Sequence, residues 1–295
     1  MVARLELRVL RLDDGRDLAF AEYGDPSGAP VFAFHGTPGS HTQAQPLHPA
    51  ALAGGVRLIV PDRPGYGHST FDRSRTLTGW PDDVAAVAGA LEIDRFGVVG
   101  ISGGGPHAAV AAHALGERLT GCAIVSGVGP LNAPEDSEGM MPFNRMLAAL
   151  ARRAPSLLRV PFAALDIVGR LLPEERLIEQ MTNPLPPADV EIITRPEIRE
   201  AMLVDIATRH PTRARAAAQD FALFARPWGF ELDDISTPVS LWHGDEDVNV
   251  PFAHGQRYVD LIPGASLNAI TGAGHMLFVD HAPAILTMAC GTSPD

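Results

Sequence analysis

No lysine occurs anywhere in the 295-residue chain, so apart from histidine every basic side chain is arginine. That absence excludes Schiff-base chemistry, a Walker A phosphate loop and a Ser–Lys hydrolase, each of which needs the primary amine. Cysteine is nearly as scarce. Cys122 sits in an apolar stretch and Cys290 near the C-terminus, and both are expected as free structural thiols rather than a disulfide framework. Neither H-E-x-x-H nor C-x-x-C occurs, and the eleven histidines show no paired ligand spacing, so neither a metal nor any other cofactor is expected. No apolar run approaches the ~18–20 residues of a membrane span. The first residues alternate, as in Leu5-Glu6-Leu7-Arg8-Val9, which reads as a strand and not as a signal peptide. A cytoplasmic protein is the expectation. The net charge of −12 repels phosphate backbones and anionic surfaces, so no nucleic-acid partner is expected. No internal repeat or low-complexity tract interrupts the chain.

What is present is concentrated in Val98-Val99-Gly100-Ile101-Ser102-Gly103-Gly104-Gly105-Pro106. An apolar run ends in Gly-x-Ser-x-Gly and passes into a helix-like segment. That strand–turn–helix setting forces a serine to the tip of a sharp elbow. A dinucleotide-binding turn would place glycine where Ser102 stands and an acid about 20 residues later. The chain has Cys122-Ala123-Ile124-Val125-Ser126 there, so the nucleotide reading is disfavoured. A serine hydroxyl needs a general base, and the base needs a carboxylate to orient it. Downstream, the apolar run to His243 enters Gly244-Asp245-Glu246-Asp247-Val248-Asn249-Val250-Pro251. A second short run, Ser266 to Thr271, ends in Gly272-Ala273-Gly274-His275. Serine, acid and histidine thus follow in the order nucleophile, acid, base. Ser102 is the candidate nucleophile and His275 the candidate base, and Asp247 competes with Asp245 and Glu246 as the acid. Upstream, Val31-Phe32-Ala33-Phe34 precedes His35-Gly36-Thr37-Pro38-Gly39. A second oxyanion donor belongs after an early strand, so the N–H groups of Thr37 and Gly103 are the candidate pair.

These landmarks resemble the Ser-dependent α/β-hydrolases from about residue 31 to 290. The matching segments are His35-Gly36, Asp62-Arg63-Pro64-Gly65-Tyr66-Gly67-His68-Ser69, Gly100 to Gly104, Gly244-x-x-Asp247 with Val250-Pro251, and Gly274-His275. The resemblance implies Ser102 as nucleophile, Asp247 as acid and His275 as base. Epoxide hydrolases and dehalogenases of that superfamily usually carry aspartate at the elbow, which Ser102 argues against. Proline iminopeptidases resemble the chain at His35-Gly36-Thr37-Pro38-Gly39, yet usually have tryptophan where Gly103 stands. An aminopeptidase would also need acids such as Glu174, Glu175, Glu191 or Glu197 to hold a substrate ammonium. A slow-turnover ligand receptor retaining the triad is a third reading.

The periodicity predicts strands near 4–12, 17–23, 31–35, 56–61, 95–101, 119–126, 238–243 and 266–271, with helices at 82–92, 106–115 and 276–289. The fold class expected is α/β: a mostly parallel eight-stranded sheet, helices on both faces and an antiparallel start. Between Gly129 and Trp228 the rhythm breaks into apolar helical spacing. The expected domains are a core of 1–130 and 229–295 and a helical lid of 131–228 inserted after the sixth strand. Met140, Met141, Phe143, Phe221 and Trp228 are the candidate substrate-binding side chains. The expected function is hydrolysis of carboxylic esters with small to medium apolar acyl groups, through an acyl-enzyme. A small-molecule ester is the expected partner, with a homodimer as the assembly left open. Asp62 and Arg63 are read as fixing their turn, His35 as bracing its loop, and His41 as solvent-exposed.

Overall fold

The computed structural model describes residues 7–207 and 211–292. Eight strands form one sheet: β1 (Arg8–Arg11), β2 (Asp17–Gly24), β3 (Ala29–Phe34), β4 (Val56–Pro61), β5 (Phe96–Ile101), β6 (Leu119–Val125), β7 (Val239–Gly244) and β8 (Ser266–Ile270). Their order across the sheet is β1-β2-β4-β3-β5-β6-β7-β8. β2 runs antiparallel to both its neighbours, and every pairing from β4 to β8 is parallel. The expected strands at 17–23 through 266–271 all form; of the first, residues 4–6 lie outside the described residues.

Both faces of the sheet are buried, which is why β3 and β5 read as unbroken apolar runs rather than alternating ones. Phe32 and Phe34 point into one core with Phe96, Val98 and Trp80. Val31 and Ala33 point into the other with Val60, Val99 and Ile285. The first core is covered by α2 (Trp80–Ala90) and α3 (Gly105–Ala114), which begins where the glycine-rich turn ends. The second is covered by α1 (His48–Ala53) and by a C-terminal segment expected as one helix over 276–289. That segment is broken: a 3₁₀ turn at His275–Phe278 precedes the helix Ala282–Ala289. Asp280 and His281 fall at the break: Pro283, at the second helical position, lacks the N–H that an unbroken helix would bond to the carbonyl of Val279, so the helix starts afresh. Cys122 and Cys290 are free thiols.

Between β6 and β7 no strand forms among the described residues. Instead α4 (Pro142–Arg153), α5 (Arg159–Leu171), α6 (Glu174–Thr182), α7 (Pro187–Ile193), α8 (Pro196–Ala207) and α9 (Arg213–Phe224) make a helical insertion. Its own apolar cluster includes Leu147, Leu158, Phe162 and Phe221, and takes Tyr66 and Val250 from the core. The helix Ala253–Leu261, here α10, follows β7, and Ala282–Ala289 is α11.

The chain passes from β3 to β4 on one side and from β4 back across to β5 on the other. The crevice between β3 and β5 is therefore the switch point of the sheet, the place where loops leave in opposite directions and open a cleft. Thr37 follows β3 and Ser102 follows β5, so topology brings them together. Close packing there depends on Gly104: a Cβ on it would collide with the carbonyl of Phe34. Gly104→Ala should therefore cost about 1–3 kcal/mol by overpacking, read as a lower urea midpoint with an unchanged slope.

Candidate active site

Ser102 occupies the first position after β5 with φ of +54°, a left-handed conformation that costs a non-glycine residue free energy. It is held there from both sides. The carbonyl of Ser102 accepts from the N–H of Val128 at 3.0 Å. On the other side, the chain lies so near Gly36 that a Cβ there would sit 3.4 Å from the Ser102 Cβ. α3 follows directly, so its positive N-terminal end lies beside the hydroxyl. Gly103 and Thr37 are in contact as well. A Gly103 Cβ would overlap the Thr37 hydroxyl and stand 3.0 Å from the Thr37 nitrogen, so only glycine lets the two candidate oxyanion donors sit side by side.

Asp247 lies in the loop after β7 and is buried. Its Oδ1 accepts the N–H groups of Asn249 and Val250, each at 2.9 Å, which fixes the carboxylate plane. Its Oδ2 then faces His275, whose Nδ1 donates to it at 2.7 Å. A ring that donates from Nδ1 keeps its lone pair on Nε2, the tautomer a general base needs. Asp245, the rival acid, instead caps the next turn by accepting the Gly272 N–H at 2.7 Å. Glu246 is exposed on the same loop.

Two histidines neighbour Asp247 and titrate in opposite directions. For His275, burial lowers the pKa, but the Asp247 charge and hydrogen bond, helped by Asp189, outweigh it, so the value lies above 6.5. His243 stands 3.6 Å from the same carboxylate, and there burial wins and the value falls. Its Nε2 is occupied by the carbonyl of Val250 at 2.8 Å.

The loop carrying His275 is anchored by Asp189 of α7, a fully buried carboxylate from the helical insertion. It accepts the N–H of His275 at 2.9 Å and that of Met276 at 2.7 Å. Asp220 of α9 does the same for the loop that carries Thr37, the candidate oxyanion donor. It accepts the Thr37 hydroxyl (2.7 Å), the Tyr66 hydroxyl (2.7 Å) and Arg63 (2.9 Å), and pairs with Arg75 (2.7 Å). Burial opposes its ionisation, but Arg75 and Arg63 hold its carboxyl far below the usual range. Arg63 also donates to the carbonyls of His35 and Gly36 and to the Thr37 hydroxyl. Its role is thus wider than fixing its own turn. Asp62 does hold that turn, accepting the His68 N–H at 3.3 Å, and it also binds His41, which is buried and not exposed. His35 braces its loop through Nδ1 to the Gly36 carbonyl at 2.8 Å.

Above these loops lie two adjoining lobes of about 580 and 200 Å³, with lining residues in common. Met141 and Phe143 line the larger lobe, with Phe162, Leu165, Met202 and Phe278. Met140 and Phe221 line the smaller one. Trp228 lines neither, contrary to expectation. Its indole N–H donates to the Phe224 carbonyl at 3.4 Å, and its ring packs against Tyr258 and Phe230 in the core. Helical spacing could not tell a pocket aromatic from one that turns inward to the sheet.

The profile of the alpha/beta hydrolase fold matches residues 29–282. The chain belongs to the alpha/beta hydrolase fold family. Within it, this hydrolase is 30% identical over 241 residues to a 2-hydroxy-6-oxo-6-phenylhexa-2,4-dienoate hydrolase of Burkholderia cepacia, covering 79% of this chain and 75% of that one. It is 27% identical over 271 residues to a bifunctional esterase/perhydrolase of Acinetobacter calcoaceticus, covering 89% and 90%. Among solved structures, a hydrolase from Pseudomonas aeruginosa superposes with a TM-score of 0.70 at 18% identity, covering 97% of this chain and 99% of that one.

Asp189 and Asp220 carried no sequence signal. Each acts on a loop more than eighty residues away, and locally each is only an acid on an amphipathic helix. Two outcomes follow from their geometry and from the histidine pair. The His275 ring should titrate by NMR above 6.5, and Asp247→Asn should bring it down. Because the folded value is raised, His275 stabilises the fold below about pH 6.5, and that contribution is lost as pH rises through the folded value. Asp220→Ala, which strands Arg63 and Arg75 without their buried anion, should cost about 3–5 kcal/mol in urea unfolding.

Proposed function

We propose that this hydrolase is a serine carboxylesterase acting on small to medium apolar acyl esters. The observation that carries the reading is that Ser102, His275 and Thr37 border both adjoining lobes, the larger of them walled mostly by apolar side chains, with the His275 Nδ1 held by Asp247 at 2.7 Å. In this reading Ser102 attacks the ester carbonyl while His275 Nε2 takes its proton. The N–H groups of Thr37 and Gly103 hold the oxyanion. His275 then protonates the leaving alcohol and activates the water that releases the acid, with Asp247 stabilising the imidazolium throughout. The helical insertion serves as the lid, excluding water and supplying apolar wall. The relative from Acinetobacter calcoaceticus, named as an esterase/perhydrolase, favours ester chemistry.

An aminopeptidase would need a free carboxylate facing the cavity. The insertion acids weighed for that role, Glu174, Glu175, Glu191 and Glu197, line neither lobe. Two other acids do line the larger lobe: Asp166 pairs with Arg213 at 3.6 Å, and Asp205 already accepts from Ser40 and Thr42 at 2.7 Å each, and from Gln43 and Arg213 at 3.3 Å each. Both charges are committed inside the protein, which favours a neutral ester over an ammonium-bearing peptide.

The test is turnover of p-nitrophenyl esters from acetate to decanoate by the wild type and Ser102→Ala. Multiple turnovers that fall by about 10⁴ or more in the variant are expected, with kcat/KM rising with pH through a midpoint above 6.5 as His275 loses its proton. A single burst without turnover would replace the esterase by a ligand receptor, and a rate independent of pH would remove His275 from the mechanism.

A further inference from the structure

Five residues border both lobes of the cavity: Thr37, Ser102, Asn144, Asn249 and His275. Three of them are the nucleophile, the base and an oxyanion donor of the reading above, on which the present inference rests. The remaining two are amides, and nothing in that mechanism uses them. They stand, half-buried, where the two lobes adjoin, beside walls that are largely methionine, phenylalanine and aliphatic side chains, so a bound ligand that covers them without pairing them would be disfavoured.

The two amides are placed by different parts of the protein. Asn249 follows the catalytic acid by two residues, and its N–H is bound to Asp247 Oδ1 at 2.9 Å, so its position is tied to that of the triad. Asn144 comes from the first turn of α4 in the helical insertion. Its Nδ2 donates to the Asn249 carbonyl at 3.2 Å and to Asn249 Oδ1 at 3.4 Å. It does not cap its own helix, the usual service of asparagine near a helix start. After these two bonds, the Asn144 Oδ1 acceptor and the Asn249 Nδ2 donor have no protein partner among the described residues. One amide thus offers an acceptor and the other a donor, beside the reacting atoms.

We infer that Asn144 and Asn249 form a two-sided hydrogen-bonding clamp for a substrate group that both donates and accepts, and that the preferred esters carry a hydroxyl or secondary amide within a few bonds of the scissile carbonyl. The large lobe takes the apolar remainder. A purely apolar ester leaves both amides unpaired as it displaces water, whereas a hydroxylated one replaces that water bond for bond. The alternative for the pair is a latch that only joins the insertion to the core, and it makes a different prediction, because a latch treats all substrates alike.

Two isosteric pairs separate these readings: ethyl 3-hydroxybutanoate against ethyl 3-methylbutanoate for the acyl side, and 2-hydroxypropyl against isobutyl butanoate for the alcohol side. The hydroxylated member of at least one pair should have kcat/KM about tenfold higher or more, and the pair that shows it locates the clamped group. Asn249→Leu and Asn144→Leu should each bring that ratio to about one or below. Asn249→Leu keeps the backbone bonds to Asp247, so it reads recognition even if Asn144→Leu loosens the insertion. Equal rates within both wild-type pairs overturn the clamp, as do variants that slow both members of a pair by the same factor. Absence of Ser102-dependent turnover on every ester, the p-nitrophenyl series included, would overturn the esterase reading and the clamp with it; hydrolysis of that series without a hydroxyl preference overturns the clamp alone.

Discussion

One buried carboxylate ties the three parts of this site together. Asp220 is fully enclosed, and its charge survives there only because Arg63, Arg75, Tyr66 and Thr37 all turn toward it. An unpaired anion in such a place would cost several kcal/mol, so the partners cannot be rearranged independently. Arg63 comes from the loop after β4, Thr37 from the loop after β3, and Asp220 itself from the insertion. Fixing one therefore fixes the others. The Thr37 loop inherits its position from a charge on a helix that is remote in sequence. Asp189 repeats the arrangement on the opposite wall, where two backbone N–H groups at the start of the His275 turn meet one buried carboxylate. The insertion is accordingly more than a cover: two of its aspartates hold the loops of Thr37 and His275.

The eight strands and the order of the candidate triad were legible because they are local facts. β3 and β5 announce themselves by continuous apolar runs, and the elbow by glycines whose neighbours leave no room for a Cβ. Asp247 was separable from Asp245 and Glu246 only by resemblance; in space the distinction is plain, since one oxygen of Asp247 is spent on its own loop and the other faces His275. What could not be read was contact across long separations. Asp189 and Asp220 look like ordinary helix acids, His41 like a surface histidine, and Trp228 like its aromatic neighbours in the insertion. Each is decided by which way a helix or loop is turned, and a single sequence does not carry that rotation. The break in the C-terminal helix falls where Pro283 lacks the N–H that would continue the helix from Val279, a signal that the helical spacing over 276–289 hid.

The two histidines beside Asp247 show how small differences of geometry separate function from structure. The His243 ring is buried and the His275 ring largely so, and both face the same carboxylate. At 2.7 Å with a direct hydrogen bond, attraction prevails for His275; at 3.6 Å, His243 loses more to burial than it gains from the carboxylate and from its bond to the Val250 carbonyl. His35, His107 and His254 are pushed the same way as His243, the last to about 4. Of this group, His275 is the ring whose proton affinity is raised.

Polarity in the cavity is distributed with the same economy. The carboxylates that approach it from the insertion are bound by hydroxyls, guanidinia or backbone N–H groups, so they shape the site without presenting a free charge to it. The walls are left to methionine, phenylalanine and aliphatic residues, which accept many shapes and distinguish few. Discrimination must then come from the place where the two lobes adjoin beside the reacting atoms and where polar groups cannot be left idle. That two amides with unspent bonds stand there, one carried by the insertion and one by the loop of the acid, makes the join between insertion and core the point where substrate selection and catalysis meet.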